Sequence, residues 1–114
     1  MEFALNTDLQ TVKIIYEEIE QPNNYIKKYM EEYDLDFTDF VKLMGMGQTK
    51  LKSLLDGRIS ITPEIALRLA KVFNTQPLFW IMVEGVYELK VAQDRYARNI
   101  EREVTAAEKK NEAA

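Results

Sequence analysis

Apolar positions in this chain recur at spacings of three and four, the mark of one helix face, almost from end to end. Leu9, Val12, Tyr16 and Ile19 predict a first helix, which Gln21-Pro22-Asn23-Asn24 breaks. A second helix is expected from Pro22 or Asn24 to Tyr33, with Tyr25, Ile26, Tyr29 and Met30 inward. Asp34-Leu35-Asp36 reads as a turn, and the Asp36 carboxylate can accept the free N–H groups of the helix that follows. In that helix Phe37, Phe40, Val41 and Met44 share a face, and Gly45 closes it in the left-handed conformation. Only Met46 and Gly47 precede the next helix, where Leu51, Leu54 and Leu55 fall on one side and Gln48, Thr49, Lys50, Lys52 and Ser53 on the other. Two helices joined by about three residues that include glycine have helix-turn-helix spacing.

Asp56-Gly57 stops the second of the pair, and Thr62-Pro63 starts another helix, with Thr as N-cap and Pro at the first helical position. Its buried side is expected to be Ile65, Ala66, Leu69, Ala70, Val72 and Phe73, and Asn74 ends it. Gln76-Pro77 repeats the start signal. The unbroken apolar run from Leu78 to Val83 then poses a packing problem. A helix apolar all round must be covered all round. A domain of this size would leave one side open, and the simplest cover is a second copy of the chain. Phe79 and Met82 are expected in the core of one chain. Trp80, Val83 and Tyr87 are expected at a seam between two copies, since interfaces favour aromatics, with burial in one chain as the alternative. Gly85 either permits close backbone approach or is a tolerated glycine costing about 1 kcal/mol against Ala. After about Lys90 the chain turns polar; Tyr96, Ile100 and Val104 keep a thin stripe, and the tail is expected to be marginally helical or disordered.

Beta-branched runs of period two, internal repeats and Pro/Gly-rich linkers are absent, so the expected class is all-α. The expected division is an N-terminal helical extension over 1–21, a helix-turn-helix and dimerisation domain over 22–92, and a polar C-terminal helix or tail over 93–114. A length of 114 residues, 46% hydrophobic and 30% charged, suits one globular domain. The sequence contains neither cysteine nor histidine, which excludes disulfides, thiolate zinc sites and cysteine nucleophiles and removes the commonest general acid/base. The carboxylate pairs Glu17-Glu18 and Glu31-Glu32 lie on solvated helix faces. No catalytic residue, metal or cofactor is therefore expected. The N-terminus lacks a basic segment followed by a long apolar run, and no stretch approaches the roughly 18 apolar residues of a membrane span, so a cytoplasmic protein with no membrane partner is expected. Net charge is −4 and unevenly spread. Residues 1–34 hold three lysines against eight acids, whereas 45–60 hold Lys50, Lys52 and Arg58 against Asp56 alone. The locally basic window coincides with the outward face of the second helix of the pair, which suits docking on phosphate.

Taken in order, LDFTDFVKLMGMGQTKLKSLLDGR followed by ISITPEIALRLAKVFNTQPLFW resembles the lambda-repressor-like (XRE) helix-turn-helix proteins, and more narrowly their HigA antitoxin branch. The branch cue is the pair ITPEIALRLAKVF and TQPLFW at this distance behind the helix-turn-helix, and the match covers Pro22 to Leu89. The resemblance implies a five-helix domain that forms homodimers on a palindromic operator, represses its own operon and neutralises a basic HigB-like toxin, a ribosome-dependent mRNA endonuclease. It places the DNA-facing positions on Gln48, Thr49, Lys50, Lys52 and Ser53, and a further basic contact on Arg58. Two positions depart from the family pattern. Gly47 stands where Ser is frequent, and Phe37 stands where a phosphate-touching Gln is frequent. Stand-alone repressors of phages and mobile elements share much of the pattern, and a helical interaction module without DNA binding is the alternative from another class.

A helix-turn-helix lays its second helix in the major groove with the N-terminal residues at the base edges. The Gln48 amide offers a donor and an acceptor to adenine N6/N7. The Thr49 methyl can meet a thymine methyl. Lys50 can reach guanine or phosphate, and Lys52 is placed to position on phosphate. Arg58 is either a phosphate contact or a free surface arginine. The bland alternative for the whole set is a solvated helix face. The acidic N-terminal part, together with the Tyr96/Ile100/Val104 stripe, is a candidate surface for a basic toxin, with a solubilising face as the alternative.

Overall fold

The computed structural model describes residues 17–110. Its elements are α1 (Pro22–Glu32), α2 (Phe37–Met44), α3 (Gln48–Leu55), α4 (Pro63–Phe73) and α5 (Pro77–Glu103), with no strand among the described residues. The expected helix through Leu9, Val12 and Tyr16 lies outside them; Ile19 packs half-buried against the core.

Local chemistry sets most of these boundaries. Asp36 Oδ1 accepts the Asp39 N–H at 2.8 Å, and Thr62 Oγ1 accepts the Ile65 N–H at 3.3 Å, so α2 and α4 each start on a side-chain cap. Gly45 at φ 63° and Asn74 at φ 54° close the same two helices in the left-handed region. Gln76 makes no capping bond, and Pro77 alone marks the start of α5.

Ile26 of α1, Phe40 and Met44 of α2, Leu51 and Leu54 of α3, and Ile65, Leu69 and Phe73 of α4 meet in one core with Trp80 and Val83 of α5. Phe73 is its hub, stacking on Tyr29 at 5.2 Å and on Phe40 at 5.5 Å between ring centroids. The indole N–H of Trp80 donates to Thr75 Oγ1 at 2.7 Å, so the ring is buried without leaving a donor unpaired. Tyr33 ties α1 to the end of α4 through a hydroxyl bond to the Phe73 carbonyl at 3.1 Å.

This packing corrects the expected seam. Trp80 is 0% exposed and Val83 2% exposed inside a single chain, so neither has surface left for a second copy. The cause is the rotation of α5, which packs on α4 and α1, turns Trp80 toward Phe73 and Tyr29 and buries Val83 in the same core. Phe79 and Met82, expected inside, are only half-buried, although Phe79 still lies edge-on to Trp80. A Cβ added at Gly85 would meet nothing within 4 Å beyond its own helix in the single chain. α5 also runs on past Lys90 as one unbroken helix of 27 residues, because no Gly or Pro interrupts it after Gly85. Every residue from 93 to 110 is exposed, the stripe residues Tyr96, Ile100 and Val104 among them.

Candidate nucleic-acid interface

α3 spends its apolar side on the core, with Leu51 0% and Leu54 1% exposed. The opposite side is open: Gln48, Thr49, Lys50 and Lys52 are all exposed, and Ser53 is half-buried at the edge of that face. Arg58 is exposed in the loop that follows. The six residues singled out in the sequence thus lie on one short helix and in the loop after it, five of them exposed. Lys52 lies 4.0 Å from Asp56, four residues on, and both are exposed, so this pair contributes little and leaves the ammonium available. Gly47 caps α3 without a side-chain bond, which leaves the first N–H groups of the helix unmet by any cap and aligned with the positive end of its dipole.

Side chains from outside the motif hold α3 at both ends. Before it, the Arg68 guanidinium of α4 donates to the carbonyls of Met44 and Gly45. After it, Asn23 of α1, buried at 7% exposure, donates its amide to the Leu55 carbonyl at 2.9 Å. The Asn23 carbonyl oxygen is buried without a partner. Gly57 turns over this amide at φ 75°, and a Cβ there would stand 3.3 Å from Asn23 Nδ2. The left-handed turn and the close approach both call for glycine.

The loop from Arg58 to Ile61 is fastened to α5. Glu84 accepts the Ile61 N–H at 2.7 Å, and Glu88 accepts the Ser60 hydroxyl at 3.0 Å. Burial pushes the Glu84 carboxyl above its ordinary value against the pull of the Ile61 N–H, and the neighbouring Glu88 pushes it the same way. Tyr87 lies between these two carboxylates in sequence and lines a polar cavity of about 280 Å³ with Asn23, Arg58 and Ser60. Sequence reasoning missed Asn23, Arg68, Glu84 and Glu88. Only Arg68 leaves a trace there, as a lone charge inside the apolar run IALRLA. Among the described residues no cluster of three or more potential ligands is placed to hold a metal ion, and no helix is long and apolar enough to cross a membrane.

No protein-family model matches the sequence. Among curated proteins, the HTH-type transcriptional regulator YbaQ of Escherichia coli (strain K12) is 31% identical over 62 residues, which are 54% of this chain and 55% of the relative. The chain thus spans about half the length of that relative. Among solved structures, an addiction module antidote protein of the HigA family from Coxiella burnetii is 29% identical, with a TM-score of 0.71 over 77% of this chain and 97% of that one. The chain carries the HigA-type helix-turn-helix fold. The Pseudomonas aeruginosa antitoxin HigA, solved with the higBA promoter, is 19% identical with a TM-score of 0.73 and covers 78% of this chain and 98% of its own. In HigA-type terms α2 and α3 are the helix-turn-helix, and α4 and α5 correspond to the ITPEIALRLAKVF and TQPLFW segments that carry the likeness in sequence.

Proposed function

We propose that this chain is a sequence-specific DNA-binding antitoxin that represses its own operon as a homodimer and neutralises a ribosome-dependent mRNA endonuclease. The observation that carries the reading is the division of α3. Its leucines are consumed by the core, while Gln48, Thr49, Lys50 and Lys52 project together into solvent on a helix anchored at both ends. A polar face made rigid in this way is what base recognition needs. The HigA-type fold supports the same reading, and so does the promoter in the Pseudomonas aeruginosa structure. In this proposal Gln48, Thr49 and Lys50 address base edges, Lys52, Ser53 and Arg58 address phosphate, and no group acts as a catalyst. Of the expected seam residues, only Tyr87 keeps exposed surface for a second copy.

A mobility shift against the chain's own upstream promoter, at two salt concentrations, tests the proposal. Wild type should bind with an affinity that falls steeply with salt, as phosphate contact requires. The Gln48→Ala/Lys50→Ala double variant should lose about 2–6 kcal/mol of specific binding, at about 1–3 kcal/mol per good base contact. Equal binding of promoter and scrambled duplex by wild type would remove the repressor reading. For the toxin, the exposed Glu17 and Glu18 form the candidate acidic surface, while Glu20 is engaged with Lys28. Reversing the charge of Glu17 and Glu18 should weaken a basic toxin's binding at low salt, and unchanged affinity would discard that surface. A stand-alone repressor without a toxin is the second reading, and the relative YbaQ, an uncharacterized HTH-type transcriptional regulator, is compatible with either. A small basic reading frame beside the gene separates the two.

A further inference from the structure

Arg68 belongs to neither helix of the helix-turn-helix, yet it grips the point where one gives way to the other. Its Nη1 donates to the Met44 carbonyl at 2.8 Å and to the Gly45 carbonyl at 3.2 Å. Carbonyls at a helix C-terminus have no partner within the helix, and a cation there also meets the negative end of the dipole. A single nitrogen bridging two successive carbonyls fixes the tilt of two successive peptide groups. Gly45 lets the guanidinium come this close, since a Cβ on its left-handed backbone would stand 3.3 Å from Nη1. Gly47, the cap of α3, follows two residues later. The direction in which α3 departs is therefore set by peptides that Arg68 holds. Arg68 is itself held by α4, whose neighbouring Leu69 is 0% exposed.

We propose that Arg68 is a positioning residue for DNA recognition, fixing the angle between α2 and α3 and so aiming Gln48, Thr49 and Lys50. The inference rests on the DNA-binding reading above. It differs from two simpler roles, a contribution to global stability and a long-range charge that attracts DNA. Arg68→Met keeps most of the stem and removes the donors. Arg68→Lys keeps the charge but replaces a planar fork by a point donor.

Two measurements on the full chain decide the matter. The first is the ratio of affinities for promoter and scrambled duplex, taken well below the melting temperature of each variant. The second is amide exchange of the free protein at Gly45 and Leu51, whose N–H groups bond the Val41 and Gly47 carbonyls on either side of the turn. Leu35 and Thr75, bonded to Met30 and Ala70, serve as references away from it. Arg68→Met should lower the affinity ratio about ten-fold or more, the scale of one lost base contact. It should also speed exchange at Gly45 and Leu51 without moving Leu35 or Thr75, and Arg68→Lys should restore part of both. An unchanged ratio in Arg68→Met overturns the proposal. So does exchange that rises equally at all four amides, which would mean global destabilisation alone. Full recovery of the ratio in Arg68→Lys with Gly45 still exchanging fast would assign Arg68 a charge role only. Should wild type fail to prefer its promoter, the DNA reading fails by itself, and the exchange comparison alone decides whether Arg68 holds the turn.

Discussion

Gly57 and Gly47 bracket the same helix and differ in what they tolerate. Gly57 combines φ 75° with a virtual Cβ 3.3 Å from the buried Asn23 amide, whereas Gly47 has an ordinary φ of −65° and nothing within 4 Å of a Cβ. Gly57→Ala should cost about 1–2 kcal/mol from the left-handed conformation alone, and more if Asn23 is pushed off Leu55. Gly47→Ala should cost less than about 1 kcal/mol, the difference between two caps that lack an accepting side chain. Thermal unfolding compares them directly: for a domain of this size 1 kcal/mol moves the midpoint by about 4–8 °C. Equal losses in the two variants would mean that the turn over Asn23 is not strained by a side chain. Residues of this kind divide by how far their partners lie along the chain. Asp36, Gly45, Thr62 and Asn74 act on neighbours three or four positions away, and their roles were legible from composition and spacing. Asn23 acts on Leu55, 32 residues off, and Arg68 on Met44, 24 residues off, so no local pattern announces either of them.

Among the elements, α5 shows what periodicity can and cannot establish. Spacing correctly puts Trp80 and Val83 on one face, since three residues make most of a turn. It does not say whether that face meets the chain's own core or a second copy, and here the aromatic hub of Phe73 and Tyr29 claims it. α3 was legible in both respects, because its leucines and its polar residues separate cleanly in sequence. The link between α5 and the loop after α3 carries a pH signature. With the Glu84 carboxyl raised by burial and by Glu88, the folded chain binds more protons than the unfolded chain above the ordinary glutamate value of 4.5. Stability contributed here is full below that value and declines as pH rises through the raised one. Glu84→Gln keeps an acceptor for the Ile61 N–H and removes the charge. Its melting temperature relative to wild type should therefore climb across that window and stay level below it. A difference independent of pH would show that the Glu84 carboxyl titrates alike in the folded and unfolded chains.

At the scale of the whole molecule, the outer part of α5 stands apart from the packed body. All residues from 93 to 110 are exposed, and the core residues end at Val83. Truncation after Ala92 should therefore change the melting temperature at low protein concentration by no more than the equivalent of about 0.5–1 kcal/mol, the range of surface changes. A collapse of the fold on truncation would mean that the projecting helix supports the core. The charge asymmetry has the same scale: acids gather before residue 35, while the outward face of α3 and the loop after it carry Lys50, Lys52 and Arg58. The tie between Ser60, Ile61 and the carboxylates of α5 has a mechanical consequence. From Glu88 to Glu103 a straight helix reaches about 22 Å, at 1.5 Å per residue. The loop that bears Arg58 is thus fastened near the base of a helix whose far end is exposed. A tilt of that exposed end would carry Ser60 and Ile61 with it, and so the loop proposed to touch phosphate through Arg58.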